Sequence, residues 1–220
     1  MNTVIFDLDG TLVDNFVAIA ESIQHAQRQL NLPESSFETV KSAVGGGYKL
    51  TLQRLFGNEL ATKADAHFVT HFNEHLLEGV EALPGARELI KILQAKGKQL
   101  AVLTNKNGAA ARHILRHLDL DQSFEAIFGV EDTPYRKPDP AFTQALLKQL
   151  RADPKDCLLI GDSPFDFETA QNVTMPCCLV TTGSHTEEQL REETACREIF
   201  PDLLELGRIR LNCTPECSAL

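Results

Sequence analysis

The sequence has no uninterrupted apolar run of about 18 residues, the length a membrane-crossing helix needs. No segment is therefore expected to span a membrane. It has no excess of positive charge either: 21 Lys and Arg stand against 31 Asp and Glu, for a net charge of -10. A nucleic-acid backbone binds a basic surface, so the charge argues against nucleic acid as a general partner. One small phosphorylated ligand needs only a local cation and stays allowed. None of the six cysteines belongs to a CxxC pair. Cys157, Cys177 and Cys178 lie in apolar, strand-like runs, where a reduced thiol behaves as a small hydrophobe. A reduced, cytoplasmic protein is the expectation. Cys213 and Cys217, near the end, have no His or Cys at a spacing that supports a metal site. No basic segment precedes an apolar stretch at the N-terminus, so no signal peptide is expected. Repeats and low-complexity tracts are absent as well.

What is present is a globular composition, 43% hydrophobic and 24% charged, enough for one domain with an insertion or two small domains. Residues 3–8 form a short apolar run that predicts a buried strand. Residues 15–31 place Phe16, Ile19, Ala20, Ile23 and Ala26 near a 3.6 period and predict a helix. "LPESS" breaks it, and Ser36 is positioned to cap the next helix. Residues 36–78 read as helical, broken at Gly45–Gly47 and near Gly57-Asn58. After Pro84-Gly85 the pattern changes to alternation: helix 86–96, strand "QLAVLT" (99–104), helix 107–118, strand "AIFGV" (126–130), helix 139–150, strand "CLLIGD" (157–162), helix 165–173, strand "CCLVTT" (177–182). Short apolar strands alternating with helices predict an α/β fold, a Rossmann-like parallel sheet covered on both faces. The division expected is a core of residues 1–14 and 80–200, an all-helical insert at 15–79, and a tail at 207–220.

The chemistry-bearing residues fall at strand ends, where open α/β sheets bind ligands. "IFDLDGTLVD" (5–14) sets Asp7, Asp9 and Asp14 among core-type residues. "QLAVLT" runs into Thr104-Asn105, "CLLIGD" ends at Asp162 with Asp166 just after, and "TPYRKPDP" (133–140) carries Lys137. Carboxylates gathered in one cleft repel one another unless a cation sits among them. Magnesium takes a few carboxylates together with a substrate phosphate. An aspartate can attack phosphorus, and a second, two residues on, can serve as acid and then base. Gly10 and Thr11 let the chain turn sharply and set backbone N–H groups near a phosphate.

"DLDGT" (7–11), "LTNK" (103–106), "RKPDP" (136–140) and "GDSPFDFETA" (161–170) resemble, in order, the four motifs of the haloacid dehalogenase superfamily. The insert position is similar to its subclass with a helical cap, and "TNK" to its phosphoglycolate phosphatase-like branch. The resemblance implies roles. Asp7 would be nucleophile and magnesium ligand. Asp9 would be general acid/base, with its carbonyl on the metal. Thr104, Asn105 and the turn at Gly10 would hold the phosphoryl group. Lys137 would balance charge, Asp162 would bind magnesium, and Asp166 would bind through water or orient its neighbours. The resemblance thus implies a magnesium-dependent phosphatase for a small phosphorylated metabolite. A phosphomutase, a pyrophosphatase or a catalytically silent binding protein on the same frame are the alternatives. The chain departs from the branch at Val173-Thr174, where a small residue and a glycine are usual, and "VGGGYK" (44–49) maps onto no substrate.

Other features have plainer readings. Asp14 is expected as a helix cap. Gly45–Gly47 follows no strand and precedes no Gly-Lys-Ser/Thr, so it reads as a break, with Tyr48 and Lys49 in a solvated loop. His67, His71 and His75 share one helix face, read as polar and partly exposed. Phe68, Phe72 and Leu76 form the adjacent apolar stripe, read as the helical unit's core. "EEQLREE" (187–193) reads as a solvated helix face.

Overall fold

A computed structural model describes residues 1–213. Strand β1 (Thr3–Phe6) leads through a tight turn to the two-residue strand β2 (Val13–Asp14). Three helices come next: α1 (Phe16–Gln29), α2 (Phe37–Ala43) and α3 (Tyr48–Glu74). The chain returns through β3 (Glu81–Ala82), then alternates: α4 (Ala86–Ala95), β4 (Gln99–Asn107), α5 (Gly108–His117), β5 (Ala126–Val130), α6 (Pro140–Leu150), β6 (Cys157–Gly161), α7 (Pro164–Gln171), β7 (Cys177–Val180), α8 (Glu187–Glu193), β8 (Ile199–Phe200) and α9 (Leu203–Arg210).

Six strands form one sheet in the order β5-β4-β1-β6-β7-β8, and every pair is parallel. Strand side chains alternate between faces, and both faces are buried. Val4, Phe6, Leu100, Val102, Leu158 and Ile160 pack on the side of α4, α5 and α9. Ile5, Ala101, Leu103 and Leu159 pack against Phe142 and Leu146 of α6. The central strands are apolar through their middles because both faces are covered there.

The helical unit has its own core around Ile19, Ile23, Val40, Leu52, Phe56 and Phe68. Ser36 caps α2 by accepting from the Thr39 N–H at 3.1 Å. Asp14 accepts from the Phe16 N–H at 3.1 Å, so it caps α1 from one position before the Asn15 cap. Gly57, with φ 70° and ψ 164°, breaks α3 into two arms. That backbone region is open to glycine almost alone, which is why the kink falls there. The two chain crossings between helical unit and sheet pair with each other: β2 and β3 are antiparallel, Val13 opposite Ala82 and Asp14 opposite Glu81.

Residues 207–213, expected as a tail, are docked through Gly207 and Cys213, with Ile209 left 53% exposed. Leu203, Leu206 and Cys213 are buried in the sheet's core, and Lys96 Nζ donates to the carbonyls of Leu211 and Asn212. An apolar face on a short helix sufficed to dock it. Cys217 lies outside the described residues. The five described cysteines are free thiols. Phe68, Phe72 and Leu76 also differ from the expectation of a single helical core: Phe68 belongs to it, Leu76 joins the sheet's core, and Phe72 packs on both. No described helix is long and apolar enough to cross a membrane.

Candidate active site

The carboxyl ends of β1, β4 and β6 meet beneath the helical unit. Asp7 continues β1, its N–H donating to the Ile160 carbonyl at 2.8 Å. The next residues coil back, with Leu12 N–H on the Leu8 carbonyl at 2.9 Å and Gly10 N–H on the Val13 carbonyl at 2.9 Å. This turn needs Gly10: φ is +81°, and a Cβ there would lie 2.8 Å from Asp162 Oδ2. In β4 the pairing with β5 shifts between Leu103 and Asn107. Such an irregularity re-aims side chains, and Thr104, Asn105 and Lys106 fall inside it.

Asn105 fixes the loop that carries Lys137. Its Nδ2 donates to the Lys137 carbonyl at 3.0 Å, and its Oδ1 accepts from the Lys137 N–H at 2.8 Å. One donor and one acceptor of its side-chain amide thereby serve positioning. The Lys137 ammonium, 2% exposed, lies 2.9 Å from Asp7 Oδ1 and donates to Asp166 Oδ1 at 2.6 Å. Asp166 Oδ2 accepts from the Ser163 hydroxyl at 2.7 Å and from the N–H groups of Asp162 and Ser163, both at 3.2 Å. Both oxygens of Asp166 are engaged, which suits a residue that orients its neighbours. Asp162 Oδ2 accepts from the Ser184 N–H at 3.2 Å.

Carboxylate oxygens of Asp7, Asp162 and Asp166 all lie within 4.8 Å of one another. One ammonium faces these three acids, and burial together with that imbalance acts on the protonation of Asp7 and Asp162. Burial, against the pull of Lys137, pushes the Asp7 carboxyl up to about 6. Burial and then Asp166 and Asp7 push Asp162 well above the carboxylate range. Burial alone would push the Lys137 ammonium down, but Asp166 and Asp7 outweigh it and hold it up. A cluster that resists its own ionisation, built of hard oxygen donors, fits a divalent cation such as magnesium. Asp9 stands apart from it. Its Oδ2 accepts from Lys106 Nζ at 2.9 Å, and its Oδ1 has no hydrogen-bond partner.

A cavity of about 570 Å³ opens above these groups. Asp7, Asp9, Thr104, Asn105, Lys137 and Asp162 line it, with Asp166 buried behind them. The helical unit supplies the roof, where Tyr48, Phe68 and Phe72 stack with ring centroids 5.5 and 5.4 Å apart. Tyr48 thus faces the cavity, whereas Lys49 is exposed, so the reading of both as solvated holds for Lys49 alone. The Gly45–Gly47 segment is gripped from both sides. Arg54 donates to the carbonyls of Ala43 and Gly45, and Arg136, beside Lys137, donates to that of Gly46. His71 and His75 stack with each other and with His25 of α1, at centroid distances of 4.2 and 4.4 Å, and His67 takes no part.

Lys106, Ser163 and Ser184 are the site residues that the sequence reading passed over. Lys106 stood within a quoted motif, "LTNK", and its place after Thr104-Asn105 was the signal available. Ser184 reaches Asp162 from the loop after β7, and only the tertiary fold brings it there.

The haloacid dehalogenase-like hydrolase family model matches residues 4–180. A phosphoglycolate phosphatase of Rhodospirillum rubrum is 33% identical over 215 residues, 93% of this chain and 88% of that protein. A predicted phosphoglycolate phosphatase from Haemophilus somnus superposes with a TM-score of 0.84 at 28% identity, over 95% of this chain and 97% of its own. A predicted phosphatase from Clostridium acetobutylicum gives 0.87 at 26%, over 96% and 98%. With the parallel sheet, the ordered motifs and these relatives in agreement, the chain belongs to the haloacid dehalogenase-like hydrolases, among their phosphatase-like members.

Proposed function

We propose that this chain, a phosphoric monoester hydrolase by family, is a magnesium-dependent phosphatase that acts on a small, phosphoglycolate-like phosphomonoester through an aspartyl-phosphate. The observation that carries this reading is Asp7. Its carboxylate sits at the cavity floor, 2.9 Å from the Lys137 ammonium and grouped with Asp162 and Asp166. The name of the Rhodospirillum rubrum relative supports the substrate class.

Asp7 attacks phosphorus, forming an oxygen–phosphorus bond as the ester bond breaks. Asp9 gives its proton to the departing alcohol oxygen, then takes one from the water that splits the aspartyl-phosphate into Asp7 and inorganic phosphate. Thr104 and Lys137 hold the phosphoryl oxygens, while the N–H groups of Gly10 and Thr11 close the turn itself, on the carbonyls of Val13 and Leu8. Asp7, Asp162 and the Asp9 carbonyl would hold the magnesium, with Asp166 as the orienting group. When bound, the ion offsets charge between nucleophile and phosphate. The helical unit acts as a cap that keeps bulk water from the first step. The free thiols fit a reducing compartment such as the cytoplasm.

The test is phosphate release from a panel of phosphate esters and pyrophosphate, with and without magnesium. Magnesium-dependent release from a short ester, lost to near background in Asp7→Asn, is the expected result. Full activity in Asp7→Asn would sink the mechanism, since an amide is a poor nucleophile. Preference for pyrophosphate, or isomerisation of a sugar phosphate without release, would move the chain to another branch.

A further inference from the structure

Two lysines line the cavity, and they are placed differently. Lys137 is held between Asp7 and Asp166, and its main chain is fixed by Asn105. Lys106 has one carboxylate partner, Asp9, and its side chain is 6% exposed. Its Nζ also lies 4.9 Å from the centre of the Phe72 ring on α3. An ammonium has three N–H donors; Asp9 takes one, and the ring face engages the charge without consuming a donor as an acceptor atom would. The Lys106 ammonium is therefore a buried cation with donor capacity to spare, set where the roof meets the sheet.

No arginine lines the cavity among the described residues, and Arg54 and Arg136 donate to carbonyls of the 43–46 segment. Beyond the phosphate end the wall is largely apolar, with Ile19, Phe68, Phe72 and Leu76. The part of a substrate that is not phosphate thus meets a largely apolar surface, a few polar side chains that include Asn73, His113 and Glu131, and one ammonium. Asp9 serves the leaving oxygen, and Lys106 is 2.9 Å from Asp9, so the Lys106 ammonium is within two hydrogen-bond lengths of that oxygen.

We infer that Lys106 is a specificity-determining residue, whose ammonium binds a carboxylate carried by the substrate next to the ester oxygen. This rests on the phosphatase reading above and adds the residue that selects the substrate's tail. A carboxylate fits better than a second phosphate: Asp9 carries its proton when it serves as acid, which leaves the one Lys106 charge for a single negative group, not for a dianion.

The experiment compares two esters of equal length, phosphoglycolate and ethyl phosphate, with magnesium, in the natural protein, Lys106→Met and Lys106→Arg. The quantity read is the ratio of kcat/KM for the two esters within one preparation. A damaged fold or a misplaced Asp9 lowers both rates together and leaves the ratio alone. Losing one charge-assisted hydrogen bond predicts that Lys106→Met reduces the natural preference for phosphoglycolate by about 10- to 100-fold, chiefly through KM. Lys106→Arg, which keeps the charge, retains most of it. An unchanged ratio in Lys106→Met, or no carboxylate preference in the natural protein, overturns the inference and leaves the phosphatase reading standing. No release from either ester by the natural protein overturns both.

Discussion

Thr174 shows what one residue can be made to do. The family pattern puts a glycine after the helix of the last motif, and this chain has a β-branched residue. The turn is made all the same: Thr174 adopts φ 56°, its N–H donates to the Gln171 carbonyl at 3.1 Å, and Met175 N–H donates to the Ala170 carbonyl at 2.9 Å. These two bonds close the C-terminus of α7 in the manner usually built on glycine. A β-branched residue in left-handed backbone is strained, and Thr174 is exposed, so it loses no packing on truncation. Thr174→Gly should raise stability by up to about 1 kcal/mol, the left-handed penalty less the entropy of glycine. The midpoint of urea unfolding measures it, and a lower midpoint would show that the strain is absent. The departure from the pattern was legible in the sequence. That the backbone would hold its shape regardless was not, because the bonds that enforce it come from the surrounding turn.

At the scale of elements, α1 and α3 join through the His25–His71–His75 stack. His71 also lies 3.1 Å from the Ser22 hydroxyl through Nδ1. Burial, then His75 and His25, lower the affinity of His71 for a proton. The fold therefore favours the neutral ring. Its contribution is complete above the unfolded value near 6.5 and is lost as pH falls below it. His75 runs the other way: its hydrogen bond with Glu78 raises it, so its contribution is present below 6.5 and lost as pH rises. His71→Phe keeps a ring in the stack and removes one of these two slopes. Between pH 7.5 and 5.5 its melting temperature should fall less than that of the natural protein. Parallel pH profiles would mean that the stack does not sense protonation. The histidine spacing on α3 was visible in the sequence; its partner His25 lies on another helix, so the stack was not.

For the whole molecule, the sheet order decides the chemistry. β1 sits between β4 and β6, so the acids ending β1 and β6 and the polar residues ending β4 must meet. Three buried carboxylates against one lysine leave a charge deficit that a divalent ion offsets. Magnesium should therefore stabilise the folded protein, by about 2.7 kcal/mol at a hundred times its dissociation constant. Because the ion needs ionised ligands and burial raises Asp7 to about 6, the effect should weaken as pH drops below that value. Asp162→Asn keeps an acceptor for the Ser184 N–H but removes a charge, and its melting temperature should no longer respond to magnesium. A response equal to that of the natural protein would place the ion elsewhere.

The sequence by itself determined the longer strands and helices up to β7, and which of them end in functional groups. Apolar runs, helical periods and breakers are local, and an aspartate at the end of an apolar strand is at the rim of a sheet wherever that sheet is. So the parallel α/β class was readable, as were Asp7, Thr104, Lys137 and Asp162 as rim residues. The tertiary structure alone decided the partnerships. Asp9 and Lys106 are 97 residues apart, and Asn105 and Lys137 are 32 apart. The two-residue strands β2 and β3, the docking of α9 and the stacked roof depend equally on strand order and register. Local pattern carries no record of which distant group will face a side chain, because that is set by how the layers close on one another.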